Sequence, residues 1–121
     1  MKNVWIFAEQ RDGVVNSAYY EMLSETRKLY GDNAVVSAVV FGCGDLPVDE
    51  LKASGADKVY ALDSEKLREY EPMVYTEAFT KLIRDEKPDV VFVLRQDAVD
   101  ACMFNCPGEK PEMYPLDYDF P

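Results

Sequence analysis

Short runs of consecutive apolar residues alternate along this chain with longer stretches in which apolar side chains recur every three or four positions. The first pattern predicts strands covered on both faces, and the second predicts amphipathic helices. Residues 4–8 form the first apolar run, and the polar Glu9-Gln10-Arg11-Asp12-Gly13 after it predicts a loop. From Ser17, the positions Ala18, Tyr19, Met22, Leu23, Leu29 and Tyr30 define one helical stripe, with Glu21, Glu25, Arg27 and Lys28 opposite and Gly31 as the C-cap. Residues 34–41 are β-branched and apolar and predict a second strand, stopped by Gly42-Cys43-Gly44. Asp45 is placed to cap a short helix with Pro47 in its first turn, Val48 and Leu51 inward and Gly55 at its end.

Residues 58–62 predict a third strand. The charged stretch 63–70 predicts a helical turn or two, broken by Pro72. A longer helix starts near Met73 and carries Tyr75, Phe79, Leu82 and Ile83 on one face until Lys87-Pro88 closes it. Residues 89–94 give a fourth strand. Strands separated by helices in strict alternation imply crossover connections and a parallel sheet with helices on both faces. The expected fold class is therefore α/β, a three-layer, doubly wound, Rossmann-like sandwich of at least four strands spanning residues 1–94. The remaining residues, 95–121, read as a divergent tail, partly extended or disordered, with several prolines from Pro107 onward.

In such sheets ligands bind outside the carboxyl ends of the strands. That edge carries Ala8, Glu9 and Gln10, then Gly42 to Gly44, then Leu94 and Arg95. Of these, Ala8, Glu9, Gly42, Gly44 and Arg95 are the candidate cofactor contacts. Glu9 is the most informative polar residue among them, with a loop cap as its alternative role. The glycines of Gly42-Cys43-Gly44 would let backbone N–H groups approach a phosphate. With no Lys or Ser/Thr following, a tight strand-to-helix turn is the plainer reading. Trp5 matches flavin-stacking residues only by type, because it sits within an apolar strand and so belongs to the core.

Composition narrows the chemistry. A net charge of −10 over 121 residues, with no cluster of cations, repels nucleic acid and anionic membranes. Scattered over the surface, the same charge is a solvated exterior or a docking face for a basic partner. The apolar run 34–41 falls far short of the roughly 20 residues of a membrane-spanning helix. The opening residues contain no signal-peptide pattern, so the expected location is cytoplasmic. The chain has no histidine, which removes Ser-His-Asp and Cys-His catalysis and every His-containing zinc site. Its three cysteines are expected to be reduced. Cys102 and Cys106 share a face if residues 98–106 are helical, and they are candidate metal ligands, but two thiolates plus Cys43 do not complete a site.

Several segments together carry a family likeness. They are the opening Val4-Trp5-Ile6-Phe7-Ala8-Glu9-Gln10-Arg11-Asp12-Gly13, the first helix from Tyr19 to Leu29, and Gly55-Ala56-Asp57-Lys58-Val59-Tyr60. Tyr75-Thr76-Glu77-Ala78 and Lys87-Pro88-Asp89-Val90-Val91 continue it. With these, the chain resembles the N-terminal domain of the electron-transfer flavoprotein alpha subunit over about its first 94 residues. The resemblance implies a domain that packs against the beta subunit in a heterodimer. It also places FAD in the alpha subunit's second domain and AMP in the partner subunit, with no cofactor in this chain. After Val93 the family usually continues into a Gly- and Thr-containing turn, where this chain has Leu94-Arg95-Gln96-Asp97; the likeness is to a truncated relative or one with a divergent tail.

The expected role is thus a non-enzymatic scaffold and partner-binding domain supporting electron transfer. The alternatives are a stand-alone adenine-nucleotide-binding module and a small cysteine metal or redox protein. A homodimer through an exposed sheet edge is a further expectation, since a sheet ending after four strands leaves an edge unpaired.

Overall fold

The computed structural model describes residues 1–69, 71–93 and 112–115, the last four as backbone. Strand β1 (Lys2–Phe7) leads into a small hairpin, β2 (Gln10–Arg11) and β3 (Val14–Val15). Helix α1 (Ser17–Tyr30), β4 (Ala34–Gly42), α2 (Val48–Ala53) and β5 (Lys58–Asp63) follow. A 3-10 turn (Glu65–Leu67), α3 (Pro72–Glu86), β6 (Val90–Val93) and β7 (Glu112–Pro115) complete the order. The main sheet runs β5-β4-β1-β6-β7, and each neighbouring pair is parallel. The chain winds outward from β1 through β4 to β5 and then returns to β6 on the other side of β1. The expected doubly wound α/β sandwich is present, with β7, from within the expected tail, as a fifth strand beside β6.

Alternation along the strands divides the core into two layers. Val4, Ile6, Val36, Ala38, Val40, Val90 and Phe92 pack with Tyr19, Met22, Leu23 and Leu51 on the face covered by α1 and α2. Trp5, Phe7, Val39, Phe41, Val91 and Val93 pack with Leu67, Phe79 and Ile83 on the face covered by α3. Trp5 is 2% exposed, with its ring centroid 5.1 Å from that of Tyr60 and 6.3 Å from that of Phe79, which establishes its core role. No described helix is long and apolar enough to cross a membrane.

Three local expectations change. The polar segment after β1 is a two-residue-loop hairpin: Asp12 (φ 53°) and Gly13 (φ 82°) both take left-handed backbone, the conformation a tight hairpin turn demands. Asp45 does not cap α2; Pro47 occupies the N-cap position without any side-chain cap bond. Leu29 is 54% exposed, while Thr26 is fully buried and returns its hydroxyl to the Met22 carbonyl at 2.7 Å. Pro72 opens α3, where its missing N–H costs nothing, and Lys87 ends it in left-handed backbone.

The same two-bond device starts two of the parallel strands. Asp57, just ahead of β5, donates its N–H to the Val36 carbonyl at 2.7 Å and accepts the Val36 N–H on Oδ2 at 2.9 Å. Asp89, just ahead of β6, does the same with Asn3 at 2.9 and 2.8 Å. Each aspartate closes a ring with one residue of the neighbouring strand and so fixes the register at the amino end of the sheet. Asp57 is also held by the Arg27 guanidinium at 3.1 Å, which in turn reaches the Gly55 carbonyl at 2.9 Å and ties α1 to the same corner.

The bond from Val36 N–H, ahead of the one from Arg27, lowers the Asp57 pKa below the usual carboxylate value. A depressed folded-state pKa contributes stability that is complete above the unfolded carboxylate range and is lost as pH falls through the folded value. Replacing Asp57 with Ala removes a charge-assisted bond to a backbone N–H and is expected to cost about 1–2 kcal/mol at neutral pH. The loss should shrink as the pH is taken below the carboxylate range, which urea melts of both proteins across pH will check.

Candidate functional site

The carboxyl ends of β1 and β4 open onto a cleft of about 380 Å³. Its floor is aromatic. Phe7 and Phe41 meet edge-to-face at 5.2 Å, and Tyr75 from the second turn of α3 meets Phe41 at 5.4 Å in the same manner. The Tyr75 hydroxyl donates to the Leu67 carbonyl at 3.0 Å, which anchors the start of α3 to the 3-10 turn. One wall is the hairpin segment Glu9, Gln10, Arg11 and Asp12; the other is Arg68 and Glu69. This is the edge at which a doubly wound sheet presents its loops, and Phe7 at the end of β1 and Phe41, one residue before the end of β4, pack there on the face covered by α3.

Several candidate residues are engaged within the fold. Ala8 is 1% exposed and donates its N–H to the Val39 carbonyl at 2.7 Å. The Glu9 carbonyl accepts the Asn16 N–H at 2.8 Å, linking the hairpin to the N-cap of α1, while its carboxylate lies 3.5 Å from the Asn16 amide and lines the cleft. Gln10 clamps the hairpin to the sheet: its Nε2 donates to the Phe41 carbonyl at 3.2 Å and its Oε1 accepts the Gly13 N–H at 2.9 Å.

Gly42 has a steric reason for being glycine. A Cβ there would lie 2.5 Å from Gln10 Nε2 and 2.7 Å from Leu46 Cδ2. At Gly44 (φ 94°) the backbone N–H donates to the Asp63 carboxylate at 2.9 Å. The turn is therefore closed by the chain's own acid, and Ser64 adds a bond from its N–H to the Gly42 carbonyl at 2.9 Å. Cys43 is a free thiol whose Sγ accepts from Arg68 Nη2 at 3.4 Å. Arg68 is also paired with Glu65 at 2.9 Å, and these partners raise its pKa above the ordinary value.

Arg95, Cys102 and Cys106 lie outside the described residues. Among the described residues no group of three or more His, Cys, Asp or Glu is arranged to hold a metal ion. Sequence reasoning marked Glu9 and the glycine turn but missed the Gln10 clamp and the contributions of Arg68, Glu69 and Tyr75. The Asp-Gly pair at 12–13 was the available signal for the hairpin. Nothing in local sequence joins residues 68–75 to residues 7–12.

Fold and site together define an open, doubly wound parallel α/β domain with a cleft at the carboxyl edge of its first two paired strands. The chain belongs to the family described as the electron transfer flavoprotein domain, whose model matches residues 4–101. It is 40% identical over 92 residues to the electron transfer flavoprotein subunit alpha of Syntrophomonas wolfei, covering 75% of this chain and 28% of the relative. The alpha subunit of Thermoanaerobacterium thermosaccharolyticum is 40% identical over 93 residues, with 74% and 28% covered. Protein FixB of Clostridium saccharobutylicum is 33% identical over 93 residues, with 76% and 28% covered. The chain thus spans a little over a quarter of the curated relatives it matches, and corresponds to their N-terminal domain. Among solved structures, N,N'-diacetylchitobiose deacetylase from Pyrococcus horikoshii superimposes with a TM-score of 0.50 at 21% identity, covering 77% of this chain and 40% of that one. That likeness shows the α/β fold alone.

Gly42→Ala is expected to destabilise the fold by about 1 kcal/mol, the low end of overpacking costs, because the atoms that must move are the ends of the Gln10 and Leu46 side chains. Adding Gln10→Ala should restore part of the loss, since it frees the space the new Cβ needs. Thermal melts of the two single variants and the double variant measure this coupling.

Proposed function

We propose that this chain is the N-terminal scaffold and partner-binding domain of an electron-transfer flavoprotein alpha subunit. It supports electron transfer by binding the beta subunit, holds no flavin of its own and supplies no catalytic group. The observation that carries this reading is the family match over residues 4–101 together with alpha-subunit relatives at 33–40% identity. The site's own chemistry supports the flavin-free part. A dinucleotide's pyrophosphate seeks free backbone N–H groups at strand ends. Here the Gly44 N–H is taken by Asp63 and the Gly13 N–H by Gln10, and the first of these brings a carboxylate to the place a phosphate would occupy.

FAD belongs, in this reading, to another domain of the alpha subunit, and AMP to the partner subunit. The assembly is a cytoplasmic heterodimer. Self-association through the outer edge of β5 is disfavoured, because two copies of net charge −10 repel. The stand-alone adenine-nucleotide reading has one observation in its favour, the cleft of about 380 Å³ at the strand ends. Glu9, Asp12 and Glu69 on its rim oppose a phosphate.

Calorimetric titration of the chain with the beta subunit, and separately with FAD, AMP and ATP, tests these roles. The expected result is saturable one-to-one binding of the beta subunit and none of FAD. Stoichiometric binding of AMP or ATP by the isolated chain would put the nucleotide module first, and absence of beta-subunit binding would remove the scaffold role.

A further inference from the structure

The two sides of the sheet end differently. Strand β5, outermost on one side, carries exposed Lys58 and Asp63 at its ends. Charged residues on an edge strand discourage a further strand from pairing with it. Strand β6, on the other side of β1, reads Val-Val-Phe-Val and contains no charge, glycine or proline. Its faces are covered: Val90 and Phe92 lie in the core under α1, and Val91 and Val93 in the core under α3. The edge turned away from β1 is the one side left, and β7 occupies it, parallel and in register from Val90↔Glu112 to Val93↔Pro115. Residues 94–111 connect the two strands, more than the roughly dozen residues that a parallel crossover needs. Strand β7 lies beyond residue 101, where the family match ends. Pro115, its last residue, has no N–H to offer a further strand, and Pro111 directly precedes it in sequence. Proline within a sheet is confined to edge strands, strand starts and bulges, so this strand is suited to be outermost.

We infer that β7 is an edge guard: it occupies the backbone edge of β6 that would otherwise pair with the same edge of a second copy, and so keeps copies of this chain apart. Without β7, β6 presents unpaired N–H and C=O groups on an uncharged strand of β-branched and aromatic residues. That combination templates pairing between chains. Two such edges meet antiparallel about a two-fold axis and need no other complementarity. The net charge of −10 opposes the meeting only where salt does not screen it. The segment beyond the family match therefore has a task in this fold, which is to end the sheet at a strand that accepts no further neighbour.

The test is amide hydrogen exchange and light scattering on the full chain, in enough salt to screen its charge. Successive N–H groups of β6 point alternately toward β1 and toward β7, so its amides report the two neighbours separately. In the wild type both sets are expected to be protected and the scattering mass to be that of a monomer. Met113→Pro with Tyr114→Pro removes an N–H from each side of β7 and breaks its pairing. The expected result is loss of protection at alternate amides of β6 only, with those of β1 unchanged, and a scattering mass that rises to that of a dimer or larger. Tyr118→Pro with Phe120→Pro, beyond β7 in sequence, is the control and is expected to match the wild type. Unprotected alternate amides in the wild type overturn the pairing on which the guard depends, and protection that survives the β7 variant does the same. A variant that loses that protection yet stays monomeric overturns the guard. One whose β1 amides lose protection as well shows β7 supporting the whole fold, which overturns a role confined to the edge.

Discussion

Strand β1 has no free side. It is hydrogen-bonded to β4 along one edge and to β6 along the other, and its faces are covered by α1 on one side and α3 on the other. Every residue from Val4 to Ala8 is therefore buried, with no exposure above 4%. A polar side chain in this stretch would lose its water without gaining a partner, a cost of about 1–3 kcal/mol that a small domain tolerates poorly. The rest of the architecture follows from this strand. Two further strands add outward through β4 and β5, the chain returns to β6, and the loops leaving β1 and β4 meet at one edge.

That edge shows a division of labour between backbone and side chains. The turn amides are satisfied internally, by Gln10 for the hairpin and Asp63 for the glycine turn. Side chains that are not needed for this, those of Glu9, Asp12 and Glu69, belong to residues that line the cleft together with Arg11 and Arg68. A site whose N–H groups are already occupied is poorly suited to a phosphate and better suited to contacts made through side chains. The partner-binding role proposed above accords with that chemistry.

The segments that carried the family resemblance have physical explanations in the structure. Gly55-Ala56-Asp57-Lys58-Val59-Tyr60 holds the aspartate that rings Val36 and receives Arg27, and Lys87-Pro88-Asp89-Val90-Val91 holds the aspartate that rings Asn3. Both are register locks for parallel strands. Their specificity is structural, which is why a likeness built on them identified the fold and family and gave no catalytic residue.

The sequence by itself determined strands β1, β4, β5 and β6, the helices between them and their order, because burial on both faces requires unbroken apolar runs and one-sided burial requires a helical stripe; the short hairpin strands and β7 carry no such run. It also determined the capping of α1 by Gly31 and the core role of Trp5, which follow from short-range patterns. The tertiary structure decided what depends on distant partners. Leu29 is exposed although the helical stripe would put it inside, while Thr26 is buried and bonds its own helix; a Cβ at Gly42 would meet the side-chain end of Gln10, 32 positions earlier in the numbering. The cleft joins Phe7 and residues 9–12 with Phe41, Arg68, Glu69 and Tyr75. No local pattern encodes that meeting: it arises only when parallel pairing brings the carboxyl ends of β1 and β4 side by side and α3 packs across them.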